Sequence, residues 1–142
     1  VRAEQVKRLL KAVKYTYHRV NQLEDQLAIL RSMREKVTPT LSMVPGGGGN
    51  GNRIEELTVR IMELEEEQRG RILSYLDTYQ RVKRLIESLP KEEQVMVLSL
   101  RYLEGEYWED ISHSLHYSRK QVFRIHDEAL LILAEKMKDD TK

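Results

Sequence analysis

Two heptad seams on either side of a glycine run restrict this chain to a helical hairpin. Val6, Leu9, Val13, Thr16, Val20, Leu23, Leu27 and Leu30 recur three and four residues apart. That period puts them on one stripe of a single helix over residues 2–36, with one polar lapse at Thr16. Thr38-Pro39-Thr40 is expected to end the helix, because a residue before proline avoids the helical region. The stretch from Pro45 to Asn52 reads PGGGGNGN. Consecutive glycines are costly to order, so residues 37–53 are read as a loop.

A second long helix is expected from Arg53, with Ile54, Leu57, Ile61 and Leu64 setting its seam. It continues through Gln68, Ile72, Tyr75, Tyr79, Val82, Ile86 and Leu89, and Pro90 closes it. The Gln68-to-Ile72 step is four residues where three were due, a stutter that locally unwinds a supercoil. Two helices of similar length joined by a loop pair antiparallel. At 1.5 Å per residue each is roughly 50 Å long. Thr16 and Gln68 would approach each other in that register and are read as a polar layer fixing the pairing. Two helices bury little core, so the remaining apolar positions Leu10, Leu76 and Leu85 call for packing on the C-terminal region or on another chain.

Charge is unevenly spread. The total is +1, with 24 Lys+Arg against 23 Asp+Glu. Residues 1–50 carry nine basic and four acidic side chains, residues 51–90 seven and eight, and residues 91–142 eight and eleven. Lys7, Lys11, Lys14 and His18 form a stripe opposite the first seam, read as a solvated face. The absence of cysteine excludes a disulfide framework, a thiolate metal site and a cysteine nucleophile. No apolar run approaches 18 residues and the opening residues are charged, so neither a spanning helix nor a leader is expected.

The C-terminal segment carries the chemistry. A helix is expected from Glu92 to Leu103, followed by a turn at Glu104-Gly105. Trp108 to Leu115 reads as a compact helix with Trp108, Ile111 and Leu115 inward. His116-Tyr117 make a tight turn, and His116 is expected at positive φ. Ser118-Arg119-Lys120-Gln121 is a capping box opening the last helix, whose inward stripe is Val122, Ile125, Ala129 and Leu133. Helix, tight turn and capped helix make a helix-turn-helix, whose second helix lies in the DNA major groove. Lys120, Arg124 and Asp127 lie opposite the inward stripe, with Arg119, Gln121 and Phe123 beside them. Arg and Lys bond guanine acceptors, Gln pairs with adenine, and Phe meets the thymine methyl. Leu130-Leu131-Ile132-Leu133-Ala134 is apolar nearly all round and is expected to dock on the hairpin or on a second subunit.

Leu89-Pro90, Glu93, Val97-Leu98, Leu100-Arg101-Tyr102, Trp108-Glu109-Asp110-Ile111, Leu115, Ser118-Arg119, Val122 and Ala129-Leu130 resemble region four of bacterial sigma factors. The layout is similar to phage-encoded, sigma-like regulators of the ArpU and RinA type. Val37-Thr38-Pro39-Thr40-Leu41-Ser42 with the glycine run, and Tyr117 to Val122 with Arg124-Ile125-His126, carry that likeness. The resemblance implies a transcription regulator acting in the cytoplasm of a bacterial host, with double-stranded DNA and host RNA polymerase as partners.

The glycine run lacks the Gly-Lys-Ser/Thr ending of a phosphate-binding loop and follows no strand, so it is read as a linker. His113 and His116 have no carboxylate or thiolate placed beside them and are read as surface histidines, with no metal. No nucleophile–base–orienter set is present, and neither an enzyme nor a cofactor is expected.

The whole reads as an all-α chain. An antiparallel, coiled-coil-like hairpin (1–88) mediates homo-oligomerisation, and a sigma region-four-like helix-turn-helix domain (89–142) follows. The expected DNA-binding set is Tyr117, Ser118, Arg119, Lys120, Gln121, Phe123 and Arg124. The alternative is a sigma-like interaction module that binds RNA polymerase or a sigma factor without reading DNA itself.

Overall fold

The computed structural model of the chain describes residues 2–43 and 48–140, with side chains described over 2–37 and 51–138. The fold is all-α. Helices α1 (Arg2–Met43) and α2 (Gly48–Glu87) form the long hairpin. They are followed by α3 (Glu92–Leu98), a π-helical turn (Ser99–Leu103), α4 (Trp108–Leu115) and α5 (Arg119–Asp140). Among the described residues no helix is long and apolar enough to cross a membrane.

Both long helices outrun their expected limits. α1 continues through Pro39 to Met43, and α2 begins at Gly48 rather than Arg53. The loop expected over 37–53 is therefore helical at both ends, and its centre, 44–47, lies outside the described residues. Local penalties at Pro and Gly are a few kcal/mol or less. A nucleated helix gains one hydrogen bond for each residue it adds, which competes with those penalties.

Packing divides the chain into two compact units, Tyr17–Ser74 and the remainder. In the first, Leu23 and Leu27 of α1 meet Ile61 and Leu64 of α2, with Leu30 against them. These are seam positions, and the seam is antiparallel. Arg71 donates to the Arg19 carbonyl at 3.0 Å, whereas Arg31, further along α1, lies 3.8 Å from Glu65, earlier in α2. The inward step after Gln68 is taken by Arg71, which also pairs with Glu67 at 2.8 Å. Ile72, expected in the seam, is exposed. Gln68 donates to the Glu24 carboxylate. The Thr16 hydroxyl donates within its own helix, to the carbonyls of Ala12 and Val13. A helical threonine hydroxyl is satisfied this way by its own helix.

The second unit joins the base of the hairpin to everything after it. Val6, Leu10 and Val13 of α1 and Val82 and Ile86 of α2 share one core with Val97, Leu98, Ile111, Val122, Ala129, Leu130 and Leu133. Leu10, off the heptad seam, is fully buried, because α1 here faces more than α2. Complete burial of one leucine contributes roughly 1.5–3 kcal/mol. α5 enters this core through Leu130, Leu133 and Ala134, while Leu131 points out at 62% exposure. Lys136 donates its ammonium to the Ser88 carbonyl, tying α5 to the end of α2.

The helix expected over Glu92–Leu103 is broken. After Leu98 the backbone widens, and Glu104 N–H bonds the Ser99 carbonyl, five residues back, at 3.0 Å. No local period encodes such a turn; it accompanies the contacts of Arg101 and Tyr102 described below.

Leu133→Ala is expected to cost 2–5 kcal/mol in urea unfolding, because it opens a cavity in this core. Leu131→Ala should stay within about 0.5 kcal/mol of the parent.

Candidate nucleic-acid interface

The turn between α4 and α5 sets the geometry. α4 ends with His116 in the left-handed region, φ 58° and ψ 36°. Tyr117 N–H bonds the Ser112 carbonyl at 3.1 Å, and His116 N–H bonds the His113 carbonyl at 3.3 Å. This crossed pair is the Schellman ending, usually built on glycine. The Ser112 hydroxyl donates to the Tyr117 carbonyl at 2.5 Å, so Ser112 locks the turn as well as allowing close approach. Ser118 then caps α5: Gln121 N–H donates to its hydroxyl at 3.1 Å. The cap satisfies one of the free N–H groups at the helix start.

An aromatic cluster holds α4 and α5 against the π turn. Tyr102 O–H meets Nε2 of buried His126 at 2.6 Å, and the two rings stack. His126 Nδ1 lies 3.0 Å from an Asp127 carboxylate oxygen. The Trp108 ring stands edge-on to His126, with centroids 4.9 Å apart, and touches Phe123 at 5.0 Å. The Arg101 guanidinium sits 4.5 Å from the Trp108 ring centre and donates to the Glu106 carbonyl at 2.9 Å. Burial lowers the His126 pKa, against the opposing pull of Asp127. Burial also pushes the Tyr102 hydroxyl up to about 12. A neutral imidazole fits these contacts: Nε2 accepts from Tyr102 and Nδ1–H donates to Asp127.

The seven expected site residues divide by this geometry. Arg119, Lys120, Gln121 and Arg124 are exposed on the first turns of α5. The three cations make no ion pair with the described residues. Tyr117 is half-buried and packs on the core. Ser118 is engaged as the cap, and Phe123 keeps 38% of its surface exposed while one side rests on Trp108. Sequence reading missed the Tyr102–His126–Asp127 chain. One signal was present: His126 falls four residues after Val122, on the buried stripe of α5. The acidic side chains Glu109 and Asp110 lie exposed on the first turn of α4.

No family model, curated protein or solved structure matches the chain.

Two outcomes test this geometry. His116→Gly should stabilise the unit by about 1 kcal/mol, because it removes the left-handed strain of a side-chain-bearing residue; His116→Val should destabilise it. His126 has a folded pKa below its ordinary value of 6.5. The unfolded chain therefore takes a proton that the folded chain refuses, and ΔG of unfolding falls as pH drops below about 6.5. Urea midpoints measured from pH 7.5 to 5 should show this slope and lose part of it in His126→Gln.

Proposed function

We propose that the chain is a sequence-specific DNA-binding transcription regulator that reads the major groove with the start of α5 and associates through its hairpin. One observation carries the reading. A capped helix, set by a locked turn on a packed core, presents Arg119, Lys120, Gln121 and Arg124 outward with no competing ion pair among the described residues. Arg and Lys at these positions suit guanine O6 and N7 or backbone phosphates, and Gln121 suits an adenine edge. Phe123, supported from behind by Trp108, offers an apolar edge to a thymine methyl. The α5 N-terminus adds free backbone N–H groups for a phosphate.

Acid at Glu109 and Asp110 works against a broad phosphate contact. Binding is therefore local, with a shallow salt dependence and a need for avidity. Those same exposed carboxylates, with Tyr107 75% exposed beside them, support the second reading. In that reading the unit is a sigma-like module that docks on RNA polymerase or a sigma factor.

Selection of bound sequences from random DNA, with and without RNA polymerase, separates the two. Enrichment by the protein alone supports autonomous reading, and enrichment only with polymerase supports the module. For the selected site, Arg124→Ala should cost about 1–3 kcal/mol in affinity. Its effect on random DNA should be several-fold smaller, and equal loss on both would remove the base-reading role.

A further inference from the structure

The outer face of α2 carries a second stripe that the hairpin does not use. Val59, Met62, Glu66, Arg69 and Leu73 lie three and four residues apart, opposite the buried Leu57, Ile61 and Leu64. Leu76 is the next position of the same helix. Val59 is 54% exposed, Met62 63%, Leu73 68% and Leu76 50%. Single exposed apolar residues are ordinary, but a regular stripe of them is the signature of helix association.

The order of residues in the stripe identifies the partner. Reversed end for end, Val59 falls on Leu76, Met62 on Leu73 and Glu66 on Arg69. The stripe is complementary to itself when antiparallel. In parallel register Glu66 would face Glu66 and Arg69 would face Arg69, which is repulsive. Within one chain Glu66 and Arg69 already pair at 2.6 Å while both remain open to solvent. Two copies about a two-fold axis would close these four groups into a ring of alternating charge, flanked by Met62–Leu73 contacts. Such a face, met by an identical face, is an isologous dimer interface.

Gly70 points the same way. It lies inside a helix, where glycine costs about 1 kcal/mol relative to alanine. A Cβ built there would meet nothing within 4 Å, so packing inside the chain does not require it. It follows Arg69 on the outward face, beside the two-fold axis, where a missing side chain lets a second helix come close.

We propose that the chain forms an antiparallel homodimer through the outer face of α2, centred between Glu66 and Arg69. This specifies the self-association in the proposed function. It is measured without DNA, so its failure and the failure of the DNA reading are separate results.

Sedimentation equilibrium of the full chain tests the proposal, with far-UV circular dichroism checking that each variant keeps its helices. The parent is expected to be a dimer. Glu66→Arg and Arg69→Glu alone should each weaken it at least tenfold, since both place like charges at the axis. Mixed one to one, the two variants should recover the dimer. Within each chain they still juxtapose like charges, so recovery can come only from pairing between chains. The chain has no cysteine, which permits a register test. Met62→Cys mixed with Leu73→Cys should cross-link under mild oxidation. Met62→Cys alone should not, because its two copies would lie about 16 Å apart along the axis at 1.5 Å per residue. A monomeric parent, a dimer indifferent to both charge reversals, or a mixture that stays monomeric would overturn the proposal.

Discussion

The shared core of Val6, Leu10 and Val13 with Val82, Ile86, Val97, Leu98 and Leu133 is the contact on which the C-terminal unit depends. α3 has seven residues and α4 has eight. Helices that short are not stable alone in water, because nucleation costs more than a few added bonds return. They persist by burying apolar side chains against something longer. The base of the hairpin supplies that surface, and α5 closes over it through Leu130 and Leu133. The hairpin base and the helices from α3 to α5 therefore share one packed unit.

On that support the turn from Ser112 to Ser118 is fixed from several directions. The left-handed His116, the Ser112 hydroxyl and the Ser118 cap set the angle of α5 to α4. Trp108 joins Arg101, Phe123 and His126 in one cluster. The net charge of +1 conceals that arrangement. It is a cancellation between a basic α1 and an acidic C-terminal segment, within which Arg119, Lys120 and Arg124 form a short cationic face.

Periodicity made much of this legible in the sequence. Val6, Val13, Leu23, Leu27, Ile61, Leu64, Val82 and Ile86 are buried because a three-four spacing constrains every residue of a helix. The left-handed turn at His116 and the Ser118 cap were legible because their chemistry is local. Features set by distant residues were not. Leu10 is buried by partners far along the chain. Tyr102 meets His126 across 24 residues of sequence, and the π turn exists in that context. Arg71 displaced Ile72 from the seam because a guanidinium can reach the Arg19 carbonyl, a contact with no apolar signature. The helical stretches at 38–43 and 48–53 were masked by Pro and Gly, whose penalties are read one residue at a time. The cationic side chains at the candidate site were legible, while the aromatic support beneath them was not.

A shared core couples the hairpin base and the helices from α3 to α5 into one cooperative unit. Trp108 is the chain's single tryptophan and lies in α4, so its fluorescence reports the surroundings of that helix. Its urea transition should be followed in the parent and in Leu10→Ala, a change made far away in α1. A common core predicts that the Trp108 transition moves to lower urea by an amount equivalent to about 2–5 kcal/mol. A Trp108 transition left in place by Leu10→Ala would mean that α4 folds independently of the hairpin base.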